Sequence, residues 1–91
     1  MYCKRHQQGR HVVYALCDKE LIGTVLREGN IVIDLRTHSQ FYVGDDELGP
    51  DFESINAVGR KSVGLLIEKG IIKKGQEKTV QGVPYAQVYR I

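Results

Sequence analysis

Residues 2–6 and 11–17 are rich in aromatic and β-branched side chains on either side of a polar turn, 7–10, that contains Gly9. This pattern predicts an N-terminal β-hairpin in which His6 faces His11 and Cys3 faces Tyr14. Neighbours along a strand alternate between faces, so Cys17 then points away from Cys3 and no bridge is expected; a one-residue slip would bring both to one side. Asp18 is suited to cap a short turn over 19–22 that Gly23 ends. Extended pieces follow at 24–26 and 31–35, around Glu28-Gly29-Asn30.

Between 36 and 54 the pattern dissolves: Phe41-Tyr42 stands alone, Gly44 follows, acids cluster, and Gly49-Pro50 punctuates. A loop is expected there, with one helical turn at 45–48. At Asn56 the period changes. Gly59, Val63, Leu66, Ile67 and Gly70 recur at three- and four-residue steps, which predicts an amphipathic helix with Asn56 as its N-cap and Gly70 as its stop. Gly59 and Gly64 each weaken such a helix by about 1 kcal/mol relative to alanine, which points to close packing against another backbone. The chain ends in extended segments 78–81 and 85–91, joined through Gly82-Val83-Pro84. On the last of them Tyr85, Gln87 and Tyr89 share one face, and Ala86, Val88 and Arg90 the other. The elements predict an α+β fold: a small, mostly antiparallel sheet with one main helix packed on it, forming a single domain over residues 1–91.

Composition narrows the class. Ninety-one residues with 42% apolar content support a modest core and no large internal cavity. No apolar run has the length of a signal peptide or a membrane span, so a cytoplasmic protein with reduced cysteines and no membrane association is expected. The net charge of +2 conceals segregation. Lys4, Arg5 and Arg10 stand without an acid in the first 16 residues, the acids Asp45, Asp46, Glu47, Asp51 and Glu53 cluster, and residues 60–78 hold six bases against Glu68 and Glu77. Such an arrangement can orient a charged partner, but +2 overall does not by itself imply nucleic acid.

Four stretches in order resemble one family. They are Cys-Asp-x-Glu-Leu-Ile-Gly over 17–23, Phe41-Tyr42 followed by Gly44, Asn56-x-Val-Gly59, and Gly82-Val-Pro-x-Ala-Gln87. Together they are similar to the archaeal domain of unknown function numbered 424, over nearly the whole chain. Two departures stand out: Tyr85 replaces a histidine usual in the family, and the acidic segment between Gly44 and Ile55 is shorter. The first removes a C-terminal residue able to act as acid, base or ligand. The resemblance implies a small cytoplasmic archaeal protein with no established activity, linked to RNA or the ribosome by gene neighbourhood alone.

Candidate chemistry is sparse. His6 and His11 could share a cation, but Cys3 and Cys17 do not complete a four-ligand zinc spacing, so no metal and no cofactor is expected. Neither cysteine sits in a nucleophile motif. Asp45, Asp46 and Glu47 lack the phosphate-cradling glycine loop that magnesium-dependent phosphate chemistry uses. The start of the predicted helix carries more promise. Asn56 and Gly59 lead into free N–H groups, and Arg60 and Lys61 place bases where acids ordinarily stand, a reversal that calls for an anion from elsewhere. Tyr2, Tyr14, Tyr85 and Tyr89 fall in strands near Lys4, Arg5, Arg10 and Arg90, the combination of stacking and phosphate neutralisation that grips single strands.

The leading expectation is a non-enzymatic binding module for RNA or a ribonucleoprotein, with a ribosomal component as candidate partner. Lys4, Arg5, Arg10, Arg60 and Lys61 would meet phosphates on one continuous face, and Tyr85 and Gln87 would make contact. A protein-interaction module is second, docking a partner at an exposed Phe41-Tyr42 loop or an open sheet edge. An enzyme acting on a small anionic substrate where the helix begins, at residues 56–61, is third.

Overall fold

The computed structural model describes residues 1–90. Its N-terminal hairpin closes on two residues. β1 (Tyr2–Gln8) and β2 (His11–Cys17) pair antiparallel with Gln8 opposite His11, so Gly9 and Arg10 alone form the turn. Gly9 adopts φ +60°, the left-handed backbone required at the first central position of a type II′ turn. His6 therefore faces Val13, and Cys3 faces Leu16, in place of the expected His11 and Tyr14. The shift is even, so the faces are kept: Cys3 and Cys17 lie on opposite sides of the sheet, both free and buried.

β3 (Val25–Glu28) and β4 (Ile31–Asp34) make a second antiparallel hairpin around Gly29-Asn30. In the following loop a 3₁₀ turn forms at Ser39–Phe41, and residues 45–48 are not helical. Those residues instead run along the outer edge of β1. The Cys3 N–H donates to the Gly44 carbonyl at 3.1 Å, and the Asp46 N–H donates to the Cys3 carbonyl at 2.9 Å.

The main departure is β5 (Ser54–Val58), the central strand, where helix was expected to begin. Its apolar residues Ile55, Ala57 and Val58 run into the helical period with only Gly59 between, so no turn signal marks the boundary. Asn56 is consequently a strand residue and not an N-cap; Gly59 holds that position and α1 spans Arg60–Glu68. The predicted stop is present. Gly70 adopts φ +72°, its N–H reaches the Ile67 carbonyl, and the Ile71 N–H reaches the Leu66 carbonyl, which is a Schellman closure. Gly64 has nothing within 4 Å of where a Cβ would stand, so the expected close packing does not occur there.

β6 (Lys78–Val80) and β7 (Val83–Tyr89) are joined by Gln81-Gly82, both at positive φ as a type I′ turn requires. Val83 and Pro84 are thus strand, not turn. The Pro84 carbonyl accepts the Gly59 N–H, while the Gly59 carbonyl accepts the Val63 N–H of α1, so Pro84's missing donor strands no acceptor. Ile91, expected to end this strand, lies outside the described residues.

The five-stranded sheet has the order β1-β2-β5-β7-β6, with only β2 and β5 parallel, and β3-β4 forms a separate ribbon. The α+β class with one main helix is the observed architecture. Alternation sends Tyr14, Leu16, Ile55 and Ala57 to one face, where Val63 and Leu66 of α1 complete a core. It sends Cys17 and Val58 to the other, where Leu26, Leu35 and Val80 pack beside Tyr42 and Tyr85. The β3-β4 ribbon covers only part of this second face. Among the described residues no helix is long and apolar enough to cross a membrane.

Candidate binding groove

The start of α1, a candidate anion site by sequence, is already filled. Asp18, leaving β2, is buried, and its carboxylate accepts the Lys61 N–H at 3.1 Å, the Ser62 N–H at 2.9 Å and the Ser62 hydroxyl at 2.8 Å. Gly59 permits this approach. It adopts φ +113°, and a Cβ there would lie 2.2 Å from Asp18 Cγ. The anion that the bases of the first turn called for is thus supplied from within the chain. Asp18 does not cap its own turn at Lys19–Leu21, as the sequence suggested.

The five candidate phosphate ligands are dispersed. Arg5 lies on the helix face, where its Nη2 and Nε donate to Asp51 at 2.7 and 3.2 Å. Asp51 also accepts the Tyr14 hydroxyl at 2.6 Å. That hydroxyl, followed by Arg5, holds the Asp51 carboxyl below the usual range, and burial, reinforced by Asp51, pushes the Tyr14 phenol up. Arg10 sits in the hairpin turn, whereas α1 begins past Cys17 at the far end of β2, about 20 Å along the strand. Arg60 and Lys61 are exposed at that end. Lys4 is on the second face, its Nζ donating to the Gln40 carbonyl at 2.8 Å. Among the described residues these five form no continuous basic face.

The second face holds a groove of about 610 Å³ between the sheet and the β3-β4 ribbon. Its floor is made by Asn56 of β5 and Gln87 of β7, directly opposite in register, with Val58 and Tyr85 beside them. Neither carboxamide makes a hydrogen bond to another described residue, and Gln87 is exposed. One wall is Ile31, Val32 and Ile33 of β4, the other His38, Phe41 and Tyr42.

The aromatic pair expected as an exposed docking loop is instead half-buried on the sheet. Phe41 stacks on His6 with centroids 4.4 Å apart, His6 Nε2 meets the Phe41 carbonyl at 2.8 Å, and Tyr42 meets Phe41 edge-on. Burial raises the Tyr42 phenol. Of the tyrosines, Tyr14 is core, Tyr2 lies beneath the Lys19 ammonium, Tyr85 is half-buried, and Tyr89 is 69% exposed. Tyr85, Gln87 and Tyr89 share the second face as predicted, joined by Lys78, which pairs with Tyr85.

The structure thus brings together Asn56, Tyr85, Gln87, Phe41 and Tyr42, and leaves Arg5, Arg10, Gly59, Arg60 and Lys61 elsewhere. The sequence did not show the β4 wall or Lys78 as part of a site. Period-2 pairing of Lys78 with Tyr85 across the Gln81-Gly82 turn was the available signal for the latter.

The family described as Protein of unknown function (DUF424) is matched over residues 6–91. The chain belongs to this family. The DUF424 chain is also similar to the crystal structure of an uncharacterized conserved protein from Methanopyrus kandleri. The two share 26% identity and superpose with a TM-score of 0.78, over 97% of this chain and 89% of that one. No curated protein matches.

Proposed function

We propose that this DUF424 domain is a non-enzymatic binding module for single-stranded RNA, including RNA of a ribonucleoprotein, that takes an unpaired base into the groove beneath β4. The observation that carries this reading is the facing pair Asn56 and Gln87, two carboxamides without a partner on an open sheet face. A carboxamide offers both a donor and an acceptor, the complement of a base edge, and apolar or aromatic walls suit the flat faces of the ring. Tyr89, on the same strand face, provides an exposed ring for a neighbouring base. Lys4 and Lys78 flank this face and supply the phosphate contacts in place of the wider basic set. The two free, buried cysteines suit a reducing cytoplasm. An enzyme acting where α1 begins is disfavoured, because Asp18 holds the N–H groups that a substrate anion would need.

Fluorescence anisotropy with unstructured RNA oligonucleotides at low salt tests this. Asn56→Ala and Gln87→Ala each weaken binding about tenfold, as loss of a well-placed hydrogen bond implies. No binding at low salt, or binding indifferent to both substitutions, rules the reading out.

A further inference from the structure

β6 is too short to cover β7. It pairs only Lys78–Val80 with residues 83–85, whereas β7 continues to Tyr89. On the inner side, the Arg90 N–H donates to the Glu53 carbonyl and the Pro84 carbonyl accepts from Gly59, so the even-numbered residues of β7 face β5. The backbone groups of Gln87 and Tyr89 therefore face outward, and no described strand lies beside them. Natural sheets cover or blunt such an edge, since unpaired N–H and C=O groups are a template for another strand.

Here the edge borders a groove of about 580 Å³. Ile71 and Ile72 line it toward the helix face, and Lys78, Gln87 and Tyr89 toward the other. We infer that this edge receives an extended acidic peptide segment of a partner protein as an added strand beyond β7, in line with β6.

Three features select this occupant. Gln87 and Tyr89 give main-chain hydrogen bonds to any extended backbone, which is how strand addition recognises a peptide. Alternation then sets the side chains: one set packs on Ile71 and Ile72, and the other lies beside Lys78. The charge is one-sided. Residues 69–78 hold Lys69, Lys73, Lys74 and Lys78 against Glu77 alone, and no ion pair engages these lysines among the described residues. A second copy pairing through the same edge would bring these lysines against their own counterparts, so charge favours aliphatic residues alternating with acids over self-association. The site uses the outward backbone of β7 where the base groove uses its side chains, and Lys78 and Tyr89 border both.

A fluorescent peptide alternating valine and glutamate, titrated with the whole protein, tests the inference. A valine–lysine peptide and sedimentation of the protein alone are run beside it. The acidic peptide binds and the basic one does not. Gln87→Pro removes one outward N–H where the fold uses none, and weakens peptide binding about fivefold to tenfold with an unchanged unfolding curve. Asn56→Ala, which alters the floor of the base groove and touches nothing in the edge groove, leaves peptide binding intact while weakening RNA binding, so the two sites fail separately. The inference is overturned by equal binding of both peptides, by no binding of the acidic one, or by a folded Gln87→Pro protein that binds normally. A dimer that Gln87→Pro dissociates also overturns it, by assigning the edge to a second copy.

Discussion

The carboxylate of Asp18 grips Ser62 twice, accepting its backbone N–H at 2.9 Å and its hydroxyl at 2.8 Å, and so ties the end of β2 to the start of α1. Asp18→Ala leaves these buried donors unpaired and withdraws the carboxylate that meets a helix start carrying Arg60 and Lys61. Urea denaturation should show a loss of about 2–4 kcal/mol, the combined scale of a lost cap and lost charged hydrogen bonds. Asp18→Asn keeps an acceptor and should recover part of the loss. A change within experimental error for Asp18→Ala would mean that α1 is held by its packing alone.

Gly59 and Asp18 should behave as one unit. Gly59→Ala places a Cβ 2.2 Å from Asp18 Cγ on a backbone at φ +113°, so it should destabilise by about 2 kcal/mol or more. In the Asp18→Ala background the clash with the carboxylate is removed while the backbone strain remains. The double-mutant cycle should therefore show coupling of about 1 kcal/mol or more. Strict additivity would contradict the contact.

These relations mark the limit of legibility. Period-2 alternation placed Tyr85, Gln87 and Tyr89 on one face, and the Gly70 stop was readable because both depend on local backbone geometry. β5 was not, because a short apolar run abutting a helix has no period of its own. Asn56 thereby moved from a cap to the groove floor. The hairpin register missed by two residues because Gly9 serves a two-residue turn as readily as a four-residue one. Asp18 could be read as a cap, but not as the cap of a helix over 40 residues away, since that pairing exists only once β2 and β5 lie parallel.

The Tyr14–Asp51 bond predicts a pH dependence with two limbs. Asp51's folded pKa is depressed by the Tyr14 hydroxyl and by Arg5, so its contribution is present above the ordinary carboxylate range and is lost as pH falls through the folded value. Tyr14's folded pKa is raised, first by burial and then by Asp51, so its contribution is present below the ordinary tyrosine range and lost as pH rises through the folded value. Urea midpoints measured across pH should fall at both ends, and Tyr14→Phe should flatten both limbs. An unchanged alkaline limb in that variant would assign the loss to another group.

The cysteines should be inert in the folded protein. Burial pushes the Cys17 thiol up to about 12, and its Sγ donates to the Asp18 carbonyl at 3.3 Å. At pH 8 the thiolate fraction is then about 10⁻⁴. Cys3, raised by burial and by Asp46, is expected to react slowly as well. A thiol reagent should modify neither residue until denaturant is added, and then both. Fast modification of Cys17 in the native state would show that β2 opens locally.

Salt dependence separates the RNA reading drawn from the basic residues of the sequence from the one proposed for the groove. Single-strand binding weakens with salt at a logarithmic slope of about −0.7 per phosphate contact, so a face built from Lys4, Arg5, Arg10, Arg60 and Lys61 would give about −3.5. Arg5 is engaged by Asp51, and Arg10 lies at the opposite end of the sheet from Arg60 and Lys61. Lys4 and Lys78 remain on the sheet face that holds the groove, on its two edge strands, for a slope of about −1.4. Lys4→Gln should lower it to about −0.7, whereas Lys61→Gln should leave it unchanged. A slope near −3.5 that Lys61→Gln reduces would relocate the RNA to the helix end and leave the Asn56–Gln87 groove without a role in binding it.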